Sequence, residues 1–75
     1  MKKLRNKKIL IFGAGSIGNH MTKASRELGF SVDVTDKSDQ ALERMKSEIY
    51  PHRYKHWDKS INLIKYKDIF IKKLV

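Results

Sequence analysis

Four apolar residues, Ile9-Leu10-Ile11-Phe12, run directly into Gly13-Ala14-Gly15-Ser16-Ile17-Gly18. A short continuous apolar run is the expectation for a central parallel strand covered on both faces. Three glycines at that spacing then let the backbone turn sharply and lie close to whatever sits above it. Behind them Ile17, Met21, Ala24 and Leu28 recur at helical spacing, and Gly29 stands where a helix end favours a left-handed residue. Phe30-Ser31-Val32-Asp33-Val34-Thr35 alternates apolar and polar, as a second strand does. Strand, glycine turn, helix and strand make a βαβ unit, which predicts an α/β fold with a parallel sheet.

Each position of the loop has a chemical reading. Gly13 allows the tight turn out of the strand. Gly15 leaves no Cβ between the backbone and a pyrophosphate, and Gly18 lets the helix pack close to the sheet. The first helical N–H groups, near Ser16 and Ile17, bring the positive end of the helix dipole to the phosphates. Asp36 lies eighteen positions after Gly18, at the carboxyl end of the second strand. A carboxylate there accepts hydrogen bonds from both ribose hydroxyls of an adenosine and repels a 2′-phosphate. It therefore favours NAD, while the neighbouring Lys37 keeps NADP open. Asp36 can also cap the following helix, and the two roles are compatible. A nucleoside-triphosphate loop would need lysine and a hydroxyl where this chain has Asn19 and His20.

Further along, Ser38 or Asp36 can start a helix running to Glu48, with Ala41, Leu42, Met45 and Ile49 on its apolar face and Pro51 ending it. His52, Arg53 and Tyr54 fit a short strand or a loop. Asp58 can cap a short helix carrying Ile61 and Ile64, and Lys67-Asp68-Ile69-Phe70-Ile71 reads as a further buried strand. Met21 and Met45 are expected in the core, with Tyr54 and Trp57 against the sheet edge. The reading is a partial Rossmann fold, an open parallel sheet of three to four strands spanning residues 9–71. It lies between a basic tail at 1–8 and a short tail at 72–75.

Seventy-five residues suffice for one mononucleotide-binding half and little else, and without cysteine no disulfide or thiolate metal site reinforces it. The net charge of +9 invites a nucleic-acid reading, but its location argues against one. Residues 1–8 carry five basic groups and no acidic one, and residues 55–75 carry six lysines against Asp58 and Asp68. Residues 9–54 hold six of each sign. A basic stripe with stacking aromatics is not what this distribution describes. The basic start followed by Ile9 to Phe12 superficially resembles a secretory leader, yet glycines break the apolar stretch, so a cytoplasmic location is expected. Nothing approaches the roughly 20 apolar residues of a membrane span. His52 and His56 are four apart with no third ligand beside them, so a zinc site is not expected. His20 sits one turn into the first helix, where it either touches a phosphate or is an ordinary exposed histidine. No nucleophile–base set or catalytic carboxylate pair emerges, and no catalytic residue is assigned.

With these residues in place, the chain resembles the amino-terminal part of the Gfo/Idh/MocA oxidoreductases. Residues Ile11 to His20 are similar to that family's opening. Glu48-Ile49-Tyr50-Pro51, Arg53-Tyr54 and Trp57-Asp58 are similar to a subgroup associated with sugar and surface-polysaccharide metabolism. The resemblance covers about residues 7–71. It implies a nicotinamide cofactor held by Gly13, Gly15, Ser16, Ile17, Gly18 and Asp36, and hydride transfer on a sugar or related polyol. Members continue into a Gly-Thr-Pro-Pro-like turn, a Glu-Lys-Pro motif with the catalytic lysine, and a substrate-binding sheet domain. Here Lys72-Lys73-Leu74-Val75 stand where that turn is due. The expectation is therefore a cofactor-binding fragment, inactive alone, from a truncated or frameshifted reading frame. The alternative is a small module that regulates or complements a separately encoded remainder.

Overall fold

In the computed structural model, which describes residues 7–69, the apolar segments pair into one open, three-stranded parallel sheet. Strand β1 (Lys8–Phe12) leads into helix α1 (Ser16–Glu27), and β2 (Ser31–Thr35) follows it. Helix α2 (Asp39–Arg44), a π-helical turn (Met45–Ile49) and helix α3 (Tyr50–Tyr54) form one continuous helical stretch before β3 (Ile61–Leu63). The strand order is β1-β2-β3. Ile11 lies beside Val34, and Val34 beside Leu63, so the branched apolar residues of neighbouring strands share a face.

That face is the core. Ile11, Val32, Val34 and Ile61 meet Leu42, Met45 and Tyr50 from the helical stretch, with Tyr54 and Trp57 half-buried against them. Tyr50 makes edge-on contacts with Tyr54 and Trp57 at ring-centre distances of 4.8 and 5.3 Å, a geometry that aromatic quadrupoles favour. The opposite face mixes polar and apolar residues and is half open. Asp33 accepts from Asn62 Nδ2 at 3.2 Å and lies 3.6 Å from Lys8 Nζ. Leu10 and Phe12 beside it are 41 % and 63 % exposed. Strand β1 is therefore not the doubly covered central strand its apolar run predicts. Among the described residues it is an edge of the sheet, covered on one face.

Helix α1 turns a different side inward from the one its periodicity predicts. Ile17, Met21, Ala24 and Leu28 all face outward, and Ile17 is 76 % exposed. The buried side is Gly18, Asn19 and Thr22. Met21 is thus a surface residue, whereas Met45 is completely buried as expected. The helix closes as its glycine predicts: Gly29 has φ +93°, and the amides of Gly29 and Phe30 donate back to Arg26 and Ser25.

Pro51 does not end the second helix. The amide of Tyr50 donates to the carbonyl of Met45, five residues back. Pro51, having no N–H to place, then enters the first turn of α3. The π turn accounts for a burial pattern that an α-helix cannot give. Met45 and Tyr50 are both inside, and positions five apart on an α-helix lie about 140° apart around the axis. An i→i+5 turn brings them onto one face. Residues 52–54 are accordingly helical, neither strand nor loop. Asp58 caps no helix: its carboxylate accepts the Ser60 amide at 2.9 Å and its carbonyl the Ile61 amide at 3.0 Å. This tight turn feeds Ile61 into β3 beside Val32. Residues 66–69 are helical where a strand over 67–71 is predicted, and Phe70 and Ile71 lie outside the described residues. The buried Ile69 supplies the apolar signal common to both readings.

Candidate functional site

The loop leaving β1 sits at the carboxyl ends of the strands, and its backbone explains two of its three glycines. Gly13 has φ +120°, a conformation that L side chains rarely adopt. A Cβ at Gly18 would overlap the carbonyl oxygen of Gly13, so α1 crosses the loop at a distance only glycine allows. Gly15 is different. It caps α1 at φ −85°, which any residue tolerates, and a Cβ built on it would meet nothing within 4 Å. Packing and backbone conformation leave its glycine unexplained, and the space above it is open.

Four hydrogen bonds hold the loop. The Gly13 amide donates to the Thr35 carbonyl at 2.7 Å, extending the ladder between β1 and β2. The Ala14 amide donates to Asp36 Oδ2 at 2.9 Å. From below, the fully buried Asn19 donates through Nδ2 to the carbonyls of Ala14 (2.9 Å) and Gly15 (2.7 Å). These two acceptors orient the amide, leaving Asn19 Oδ1 buried without a partner among the described residues. Thr22 Oγ1 completes the buried polar side of α1 by donating to the Gly18 carbonyl at 2.7 Å. The first helical bond runs from the Asn19 amide to the Gly15 carbonyl. The amides of Ser16, Ile17 and Gly18 precede it and have no acceptor inside the helix. No acidic side chain stands in that first turn to compete for them.

Asp36 holds both ends of its carboxylate to backbone, because Oδ1 also accepts the Ser38 amide at 2.8 Å. Ser38 Oγ then accepts from the Ala41 amide at 3.2 Å and caps α2, so of the two candidate caps it is Ser38, two residues after Asp36, that takes the role. Each carboxylate oxygen retains a second lone pair for an incoming hydroxyl. Asp36 and Gly13 line a cavity of about 310 Å³ with Phe12, Lys37 and Tyr66, in which Lys37 Nζ lies 5.8 Å from the centre of the Tyr66 ring. A second concavity, a groove of about 500 Å³, shares Phe12 and Gly13 and runs over Gly15, Ser16, Ile17 and Met21.

Gly13, Gly15, Ser16, Ile17, Gly18 and Asp36 thus lie together around one loop between two concavities. His20 is exposed on α1. Sequence reasoning missed two residues here. Asn19 is given no role by its spacing, yet its buried amide donates to two loop carbonyls. Arg53 comes from α3, thirty-seven positions away, and donates to the Ser16 carbonyl (3.1 Å) and Ser16 Oγ (2.7 Å). Among the described residues no three His, Cys, Asp or Glu side chains converge on a metal position, and no helix is long and apolar enough to cross a membrane. Comparison with family models, with curated proteins and with solved structures finds no match to this chain.

Proposed function

We propose that the chain binds the adenosine diphosphate portion of a nicotinamide dinucleotide, as the cofactor-binding part of a partial Rossmann fold. The observation that carries this reading is Gly15: a glycine that neither φ nor packing demands, beside three helix-start amides and beneath open space. A pyrophosphate is an anion that fits such a cradle, since it accepts from the amides and lies where a Cβ would intrude. The adenosine then occupies the cavity beside Asp36, with its ribose hydroxyls on the carboxylate and its base toward Lys37 and Tyr66. Two backbone amides hold that carboxylate in place, so it cannot easily swing away from a 2′-phosphate, and Lys37 is drawn toward Tyr66. Both features favour NAD over NADP.

A bound nicotinamide would supply hydride chemistry. The described residues supply a grip on the cofactor, and no group among them is assigned to acid–base work on a substrate. Participation in a sugar-type oxidoreductase rests on the resemblance of Ile11–His20 and of the Tyr50–Asp58 segment to that family. Calorimetric titration of the chain with NAD⁺, NADP⁺ and ADP tests the reading. Saturable binding of NAD⁺ and ADP, with NADP⁺ weaker, is expected. A chain with a dispersed amide spectrum that binds neither NAD⁺ nor ADP overturns it.

The second reading, a module that complements a separately encoded remainder, draws on β1. Its outer edge pairs with no strand among the described residues, and Leu10 and Phe12 are exposed beside it. Co-expression with the polypeptide encoded downstream tests it: a stable complex is expected, and separate migration on gel filtration counts against it.

A further inference from the structure

We infer that Arg53 is a phosphate-binding residue of the loop, an arm from α3 that reaches the pyrophosphate at the start of α1. The inference rests on the dinucleotide reading and adds to it a residue outside the glycine motif. Both terminal nitrogens of the guanidinium are anchored on Ser16, the first residue of α1. This fixes a positive charge at the helix start, where the amides without a helical acceptor gather. Two of its five N–H groups are used there and three remain to meet phosphate oxygens. Among the described residues no carboxylate pairs with Arg53, in contrast to Arg26, which Asp58 neutralises at 2.9 Å. A planar fork with spare donors, already ordered beside an anion cradle, is the arrangement in which arginine recognises phosphate.

The π turn aims this arm. Each residue of an α-helix advances about 100° around the axis, so the extra residue held between Met45 and Ile49 rotates everything after it by that amount. The rotation that puts Tyr50 into the core also directs Arg53 along α1 to Ser16. Without it, the guanidinium would point away from the loop.

The test compares ADP with adenosine, which lacks the phosphates, on the wild-type chain and on Arg53→Ala and Arg53→Lys. Arg53 is exposed, so both variants should keep the wild-type amide spectrum. Arg53→Ala should bind ADP about tenfold more weakly, the scale of a lost hydrogen bond to a charged group, while its adenosine affinity stays unchanged. Arg53→Lys should recover part of the loss. The dependence of ADP affinity on salt should flatten in Arg53→Ala, since one cationic contact is gone. Wild-type ADP affinity in Arg53→Ala, or an equal loss for ADP and adenosine, overturns the inference and leaves the dinucleotide reading standing. A folded wild-type chain that binds neither ligand overturns both.

Discussion

Asp36 reaches back across twenty-two positions to accept the Ala14 amide at 2.9 Å, so the end of β2 holds the loop that leaves β1. The carboxylate is a structural tie in the free protein as well as the proposed acceptor for ribose. Asp36→Ala should lower stability by about 1–2 kcal/mol, the typical cost of removing a partner from a part-buried amide. A urea midpoint measures this. The same variant should bind NAD⁺ and NADP⁺ with more nearly equal affinity, because the repulsion of a 2′-phosphate is gone. Unchanged discrimination would place the ribose elsewhere.

Gly15 and Gly18 separate fold from binding. Gly18→Ala drives a methyl into the Gly13 carbonyl and should cost about 2–3 kcal/mol, at the upper end of overpacking effects. Gly15→Ala should stay within about 0.5 kcal/mol of wild type, as substitutions into open space do, and Gly15→Val should abolish NAD⁺ binding in a chain that still folds. Thermal melts read the first pair, and a titration reads the last.

Lys55 ends α3 at φ +76°, a left-handed conformation that costs a side-chain-bearing residue about 1–2 kcal/mol. Lys55→Gly removes the strain and should raise the urea midpoint by an amount corresponding to about 1 kcal/mol. A lower midpoint would show that the lysine side chain offsets it.

Arg26 joins the end of α1 to the turn before β3, donating to Asp58 at 2.9 Å and to the Phe30 carbonyl at 2.8 Å. Burial pushes the Asp58 carboxyl up, but the Arg26 hydrogen bond, the Ser60 amide and the Arg26 charge outweigh it and hold its pKa below the ordinary value. A depressed carboxylate pKa contributes stability above the unfolded pKa of about 4 and loses it as pH falls through the folded pKa. Denaturation series from pH 7 down to pH 2 should therefore show a loss of stability on the acid side that Asp58→Asn makes shallower. Arg26→Ala should cost about 1–2 kcal/mol at pH 7, with two partly shielded bonds lost. An acid limb identical in Asp58→Asn and wild type would assign the loss to other carboxylates.

The loop and β2 were legible in the sequence because their signals are local. Three glycines, an apolar run and an alternating strand each follow from the geometry of a few adjacent residues. Helix α1 was legible as a helix but not in its orientation. Asn19 and Thr22 are polar by type and buried by position, and their side chains spend their donors on the nearby carbonyls of Ala14, Gly15 and Gly18. The Met45–Tyr50 spacing of five matches no α-helical template, and Pro51 reads as a stop when its missing N–H instead suits a π turn. Strand β3 is three residues long, too short for periodicity to distinguish from a helical turn. Arg53 was the least legible, because its significance depends on Ser16 and on a rotation that no single segment announces.

Cohesion and alignment are assigned to different parts of this molecule. Val32, Val34, Met45 and Ile61 attract one another without regard to angle, as apolar contact does. The buried side of α1 carries almost no such attraction, and its start is tied to the loop by the hydrogen bonds of Asn19 to Ala14 and Gly15, which weaken steeply when distance or direction changes. Trimming the valines should therefore give a less stable chain whose loop, while folded, keeps its shape. Replacing Asn19 with a leucine of similar bulk should give the reverse: a chain with its strands intact and its glycine loop out of true.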